Sequence, residues 1–132
     1  MTTQDLIQAY YDAFNAADMP AFLALLSDDV VHDINQGERQ VGKATFAAFM
    51  DKMNRCYRER LSDIVIMQNA GGERAAAEFV VHGEYLADDE GLPPASGQTY
   101  VLPAGAFFEI RAGKVARISN YYNLGDWIAQ VG

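Results

Sequence analysis

The sequence predicts an α+β fold in which N-terminal helices pack on a curved, mainly antiparallel sheet. Apolar side chains recur at helical spacing in three segments of the first 60 residues, and the later segments alternate apolar with polar positions between turn residues. Helices followed by consecutive strands are typical of α+β folds rather than of parallel sheets. The 132 residues suffice for one domain with its own core. A long amphipathic helix lying on a curved sheet leaves a cone-shaped cavity between them, so we expect such a cavity.

Two short helices are predicted at the start of the chain. Thr2 or Thr3 can cap the first helix, and Asp5 lies favourably in its first turn. Asp18 can cap the second helix, which tolerates Pro20 in its first turn. The apolar residues are Leu6, Ile7, Tyr10 and Phe14 in the first helix and Phe22, Leu23, Leu25 and Leu26 in the second.

The longest predicted helix runs from Lys43 to about Arg60. It follows a first strand at 30–34 and a polar connection at 37–42. We interpret its apolar stripe as core, and charged residues, Glu59 among them, occupy its other faces. The stripe consists of Phe46, Phe49, Met50, Met53 and Tyr57.

The second half of the chain is predicted to be strands. A turn at 69–72 and a tight turn at 112–114 separate some of them, and the segment 87–97, with two glycines and two prolines, is a loop. A short terminal segment, 124–131, is expected to dock through Trp127. The four predicted strands are 62–68, 74–86, 98–111 and 115–123.

Charge and cysteine content limit the classes of partner and compartment. The chain has 10 Lys and Arg against 18 Asp and Glu, a net charge of −8. Nucleic acids and anionic membranes need a basic surface, so we expect neither as a partner. The single cysteine, Cys56, fits a reducing compartment. The N-terminus lacks the pattern of a signal peptide and no apolar run is long enough to span a membrane, so we expect a cytoplasmic protein.

The two histidines do not form a metal site in this pattern. His32 and Asp33 are adjacent in a predicted strand, so their side chains should point to opposite faces. His82 shares a strand face with Glu78 and Glu84, away from the more apolar face. We therefore expect neither a metal nor another cofactor.

Asp33 is a candidate general base. If its side chain faces the cavity, desolvation raises its pKa toward that of a useful base. The alternative is a strand-end carboxylate that caps the polar loop at 35–37. The spacing of the residues favours neither interpretation over the other.

Asn120 and Tyr122 are candidates for orienting a ligand. Arg117 belongs on the outer face of the last strand, so residues of the opposite parity face inward. A few polar groups among apolar walls can orient a small molecule, although a core tyrosine and a strand-end asparagine explain the pattern equally well. The other predicted ligand-binding residues are Phe14, Met50, Tyr57, Tyr100 and Phe108.

A family resemblance extends over almost the whole chain, from Leu6 to Asn123. The pattern YYDAFNAAD…LLSDDVVHD…GKATFAAFM…GGERAAAEFVVHGEYL…LPAGAFFEIRAGKVARISNYYN resembles the ketosteroid isomerase and SnoaL-like branch of the NTF2-like superfamily. The resemblance implies that superfamily's cystatin-like fold, a cone-shaped α+β barrel. It does not by itself imply one activity, because this fold carries isomerases, cyclases, hydrolases, dehydratases and binding proteins.

The resemblance also implies roles for particular residues. Tyr10 matches the oxyanion-hole tyrosine of the isomerases, and Asp33 matches their aspartate base. The second oxyanion-hole acid falls at Ala106, or at Gly105 if the register slips, and neither side chain can donate a hydrogen bond. The loss of one such donor typically lowers the rate about a hundred- to a thousand-fold.

Three hypotheses follow. The first is a cofactor-free enzyme of the isomerase or cyclase type, in which Asp33 moves a proton next to a carbonyl of a small hydrophobic substrate and Tyr10 stabilises the enolate. The second is a non-catalytic module that binds such a ligand. The third, compatible with both, is a homodimer formed through the outer sheet face, where Val80, Val101 and Phe107 are expected to lie.

Overall fold

The computed structural model describes residues 1–132 and confirms the α+β class, with four helices on one six-stranded sheet. The sheet order is β2-β1-β6-β5-β4-β3, in which only the β1–β6 pair is parallel. In chain order the elements are α1 Thr3–Asn15, α2 Met19–Ala24, β1 Leu26–Asp33, β2 Arg39–Val41, α3 Lys43–Cys56, β3 Tyr57–Gln68, β4 Arg74–Tyr85, β5 Thr99–Arg111, β6 Lys114–Tyr122 and α4 Leu124–Val131.

Both N-terminal helices begin at side-chain caps. The Thr2 hydroxyl accepts from the backbone N–H of Asp5 at 3.1 Å, and the Asp5 carboxylate accepts from the backbone N–H of Thr2 at 3.2 Å. This reciprocal pair satisfies two backbone donors that the first turn leaves free. Asp18 caps α2 by accepting from the backbone N–H of Ala21. The predicted helix starts are therefore confirmed, with Thr2 rather than Thr3 as the first cap.

The predicted extension of the third helix to Arg60 is wrong. Helix α3 ends at Cys56, and the chain enters β3 at Tyr57. The residues from Tyr57 to Arg60 pair in register with β4, from Tyr85 to His82. Pairing with a distant strand outweighs the local helical pattern here, because each of these residues gains a backbone partner in the sheet.

The first strand starts earlier than predicted, and the following connection contains a strand. β1 begins at Leu26, and its pairing with β6 shifts register between Leu26 and Val31. The segment predicted as a polar connection includes β2, which pairs antiparallel with the end of β1. These two pairings fix the face to which each β1 side chain points.

The core lies between the helices and the concave face of the sheet. Phe108 is fully buried, and Tyr10 and Tyr11 pack on it with ring centroids 5.5 and 6.1 Å away. Helix α4 docks through Trp127, which is 4% exposed, as the sequence predicted. None of the four helices is both long and apolar enough to cross a bilayer.

Candidate active site

A large cavity opens between the helices and the concave sheet face. The cavity and its mouth have a volume of about 1630 Å³, and 26 of their 45 lining residues are hydrophobic. Pockets that bury a small ligand typically measure about 300–1,000 Å³. The space is therefore large enough for a ligand of several rings, and its walls favour an apolar one.

The cavity wall includes most of the residues predicted to bind a ligand. Phe108 is the exception: it has no exposed surface and does not line the cavity, because Tyr10 and Tyr11 cover it. The prediction that Phe108 binds a ligand is wrong: its side chain is on the inner face of the sheet, as predicted, but other core side chains separate it from the cavity. The predicted residues that do line the cavity are Tyr10, Phe14, Met50, Tyr57, Tyr100, Asn120 and Tyr122.

Asp33 does not face the cavity, so the structure does not place it where a base for a ligand in the cavity would have to lie. His32 is 2% exposed and points inward, and the alternation of side chains along β1 turns Asp33 to the outer face. Its carboxylate binds Arg39 of β2 through both oxygens, at 2.6 and 3.0 Å, and accepts from the Ser119 hydroxyl. The hydrogen bond from Arg39 is the main cause that lowers the pKa of Asp33 to about 2. An outward carboxylate with a low pKa is a poor base for a ligand in the cavity.

The cavity contains a different carboxyl group, Glu59. The residues Tyr57, Glu59 and Leu61 alternate with Arg58 and Arg60 along β3, so Glu59 faces inward and lines the cavity. Burial raises the pKa of the Glu59 carboxyl, although a hydrogen bond from a tyrosine partly opposes that effect. A carboxyl group with a raised pKa is a stronger base than an exposed one, and in a cavity it can exchange protons with a ligand.

Tyr100 is the tyrosine that holds Glu59. Its hydroxyl donates to Glu59 Oε2 at 2.5 Å, and its ring packs edge-on against Trp127. Tyr100 pairs with Gly83 on β4, where an added Cβ would lie only 2.1 Å from the Tyr100 ring carbon Cζ. The missing side chain of Gly83 is therefore what lets the tyrosine lie flat over β4 and reach Glu59.

A second polar cluster joins the 87–97 loop to the cavity. The Tyr57 hydroxyl donates to Asp89 Oδ2 at 2.7 Å, and Lys52 Nζ lies 2.9 Å from Asp89 Oδ1. Burial raises the pKa of Asp89, but the hydrogen bonds from Lys52 and Tyr57 outweigh this effect and lower it overall. The loop residues Asp89, Glu90 and Leu92 line the cavity, so the loop forms part of its wall.

Sequence and structure comparisons agree with this architecture. A family model described as the SnoaL-like domain matches residues 7–118, which is most of the chain. The chain belongs to the SnoaL-like family. This result confirms the SnoaL-like part of the resemblance that the sequence carries. No protein of curated function matches the sequence.

Solved structures similar to this SnoaL-like protein include two candidate polyketide cyclases. The one from Pseudomonas putida KT2440 is 77% identical, with 100% of this chain and 99% of that chain covered and a TM-score of 0.99. The one from Xanthomonas campestris pv. campestris is 58% identical, with 98% and 96% covered and a TM-score of 0.95. An NTF2-like protein from Burkholderia pseudomallei K96243 has a TM-score of 0.83 at 17% identity, covering 98% and 96%, and so shares the fold.

Tyr10 is the other residue with a role implied by the resemblance, and this SnoaL-like protein keeps it at the cavity. Its ring packs on Phe22 at 4.5 Å between centroids, and it is 4% exposed. Burial raises the pKa of Tyr10 well above its ordinary value, so the hydroxyl stays protonated and can donate a hydrogen bond. Tyr10 and Asp33 lie on opposite sides of β1, so the structure does not bring them together.

The strand position that carries an acid in the isomerases has none here. Ala106 pairs with Asn120 in the β5–β6 register, and Gly105 pairs with Tyr121. The predicted position is therefore opposite Asn120, which lines the cavity and carries an amide.

No group of three or more His, Cys, Asp or Glu side chains comes together in a metal-binding arrangement.

Sequence reasoning missed Glu59 because it assigned this residue to the exposed side of a helix. A signal was nevertheless present. Between Tyr57 and Leu61 the charged residues Arg58 and Arg60 share one parity, and this alternation is typical of a strand with one exposed face.

Proposed function

We propose that this SnoaL-like protein binds a small hydrophobic molecule that contains a carbonyl group, and transfers a proton on it without a cofactor. The observation that supports the proposal best is Glu59, a carboxyl group of the cavity wall whose pKa burial raises. This group takes the role that the resemblance implied for Asp33. The names of the two similar candidate polyketide cyclases support a carbonyl-rich ligand.

The proposed reaction needs only side chains of the cavity wall. The Glu59 carboxylate removes a proton from a carbon next to the carbonyl, and the electron pair moves onto the carbonyl oxygen as an enolate. The protonated Tyr10 hydroxyl donates a hydrogen bond to that oxygen. Glu59 then returns the proton to the same carbon or to another, which gives exchange or isomerisation with no oxidant or reductant.

Deuterium incorporation tests this proposal. β-Tetralone, a small hydrophobic ketone, is incubated with the protein in deuterated buffer, and the exchange next to its carbonyl is followed by NMR. We expect exchange above the buffer rate for the wild type. We expect its loss in Ala104→Trp, because Ala104 lines the cavity and an indole there fills it.

Phe107→Trp is the matched control for that test. It adds an indole to the same strand on the outer face, where Phe107 is 53% exposed. The exchange should be retained in this variant. A wild type without exchange, or exchange that survives in Ala104→Trp, would contradict proton transfer in the cavity and favour a module that only binds its ligand.

We also propose that two copies associate through the outer sheet face. Phe107 and Tyr121 are each more than half exposed and pack edge-to-face at 5.7 Å, and a depression of about 220 Å³ adjoins Phe107. Exposed aromatic pairs of this kind are enriched at protein interfaces. Light scattering should give the mass of a dimer for the wild type and of a monomer for Phe107→Glu. A wild-type monomer would contradict the proposal.

A further inference from the structure

A buried histidine with incomplete hydrogen bonds lies in the cavity wall, apart from Glu59. His32 is 2% exposed and its ring stacks on Phe46 with centroids 4.4 Å apart and an interplanar angle of 4°. Phe49 packs edge-on against the same imidazole, with the ring centroids 4.7 Å apart. These two rings of α3 fix the orientation of the imidazole, so the directions of its two nitrogens are set before any ligand arrives.

The two ring nitrogens have different surroundings. Nε2 lies 3.4 Å from the amide nitrogen of Asn120, which is longer than an ordinary N–H hydrogen bond. Nδ1 is buried without a partner in hydrogen-bond geometry, and so is Oε1 of Gln40, the strand neighbour of His32. Since the Asn120 amide is a donor, Nε2 is the acceptor and the ring proton belongs on Nδ1, on the side of Gln40.

The charge state agrees with this assignment. Burial lowers the pKa of His32, while the charge of Asp33 and a contact with Gln40 oppose the shift. A neutral ring with its proton on Nδ1 presents one lone pair at Nε2, next to an amide donor. Both His32 and Asn120 line the cavity, and their 3.4 Å contact is long enough for a ligand oxygen to take its place.

We propose that His32 and Asn120 form a subsite for a hydroxyl group of the ligand, of the phenol or enol type. The hydroxyl donates its hydrogen to His32 Nε2, and its oxygen accepts from the Asn120 amide. A ketone or a methyl ether lacks the hydrogen and cannot make the first bond. The inference rests on the proposed function only in requiring that the cavity admit a hydrophobic ligand.

A matched pair of ligands tests the subsite. α-Naphthol and its methyl ether have the same ring system and differ in the hydroxyl hydrogen, and their dissociation constants are measured by equilibrium dialysis. We expect the wild type to prefer α-naphthol by about threefold to tenfold, the worth of one hydrogen bond. His32→Phe keeps a flat ring for the stack on Phe46 and should remove the preference.

Two further variants make the result specific. His82→Phe changes the other histidine, which lies on β4, three strands away from His32 on β1, and contacts the Ser62 hydroxyl. This variant should leave the preference unchanged. Asn120→Leu removes the amide without altering the His32 stack and should reduce the preference, which provides a second test if His32→Phe does not fold.

Several outcomes would overturn the subsite. They are a preference that persists in both His32→Phe and Asn120→Leu, a wild type that binds the two compounds equally, and a wild type that binds neither. Deuterium exchange into β-tetralone is measured separately and does not depend on these binding experiments. Failure of the subsite is therefore distinguishable from failure of the proposed proton transfer.

Discussion

Replacing Glu59 with glutamine is expected to lower the rate of deuterium exchange into β-tetralone by about a hundred- to ten-thousand-fold, the usual contribution of a positioned acid–base group. Glutamine retains the shape of the side chain and can still accept from the Tyr100 hydroxyl, but it cannot take up a proton. Initial rates of the wild type and of Glu59→Gln, compared by NMR at the same pH, measure the effect.

Asp33→Asn is the control for this prediction. The two variants make the same chemical change, but Asp33 lies on the outer face and is bound to Arg39. We expect Asp33→Asn to lose about 1–2 kcal/mol of stability with the ion pair and to retain its exchange rate. The opposite pattern, with activity lost in Asp33→Asn and retained in Glu59→Gln, would show that the assignment of the base to Glu59 is wrong.

The second large effect concerns stability. Phe108→Ala is expected to lower the free energy of unfolding by about 3–5 kcal/mol, because it leaves a void beneath Tyr10 and Tyr11 in the buried core. Equilibrium unfolding in urea measures this as a fall in the midpoint concentration with an unchanged slope. Since Phe108 does not line the cavity, the substitution should lower the free energy of unfolding more than it lowers ligand affinity.

Phe107→Ala provides the comparison on the neighbouring residue. Phe107 is 53% exposed and touches Tyr121 on the outer face, so its truncation should change the unfolding free energy by less than about 1 kcal/mol in the monomer. Both variants are compared at a protein concentration at which light scattering shows monomers. Equal destabilisation by the two substitutions would contradict the assignment of Phe108 to the core and Phe107 to the surface.

Local signals in the sequence were sufficient for the helix starts and for much of the sheet. The Thr2–Asp5 capping box and the Asp18 cap use residues three apart, so the whole interaction is visible in a short segment. The tight turn before β6 and the alternation of apolar residues along β4 are local in the same sense. The inward position of Asn120 followed from the parity of Arg117 on the same strand, and the structure agrees.

Which carboxylate faces the cavity depends on strand pairings between distant parts of the chain, and no local sequence pattern contains these pairings. The direction of Asp33 is decided by the partners of β1, which come from β2 and from β6 at the far end of the chain. Glu59 faces inward because its strand pairs with β4, whereas the preceding apolar stripe continues at helical spacing through Tyr57. If the inward and outward positions of a strand are assigned one residue out of register, a carboxylate of the cavity is predicted to face the solvent, and the reverse.

The close approach of Tyr100 to Gly83 means that these two positions cannot vary independently. Any side chain at 83 would displace the ring at 100, and a smaller residue at 100 would leave Glu59 without its hydroxyl donor. A redesign of this cavity for another ligand therefore has to treat the three positions as one unit. The residue that constrains the chemistry of the carboxyl group most tightly is Gly83, which has no side chain and lies directly opposite Glu59 in the β3–β4 pair.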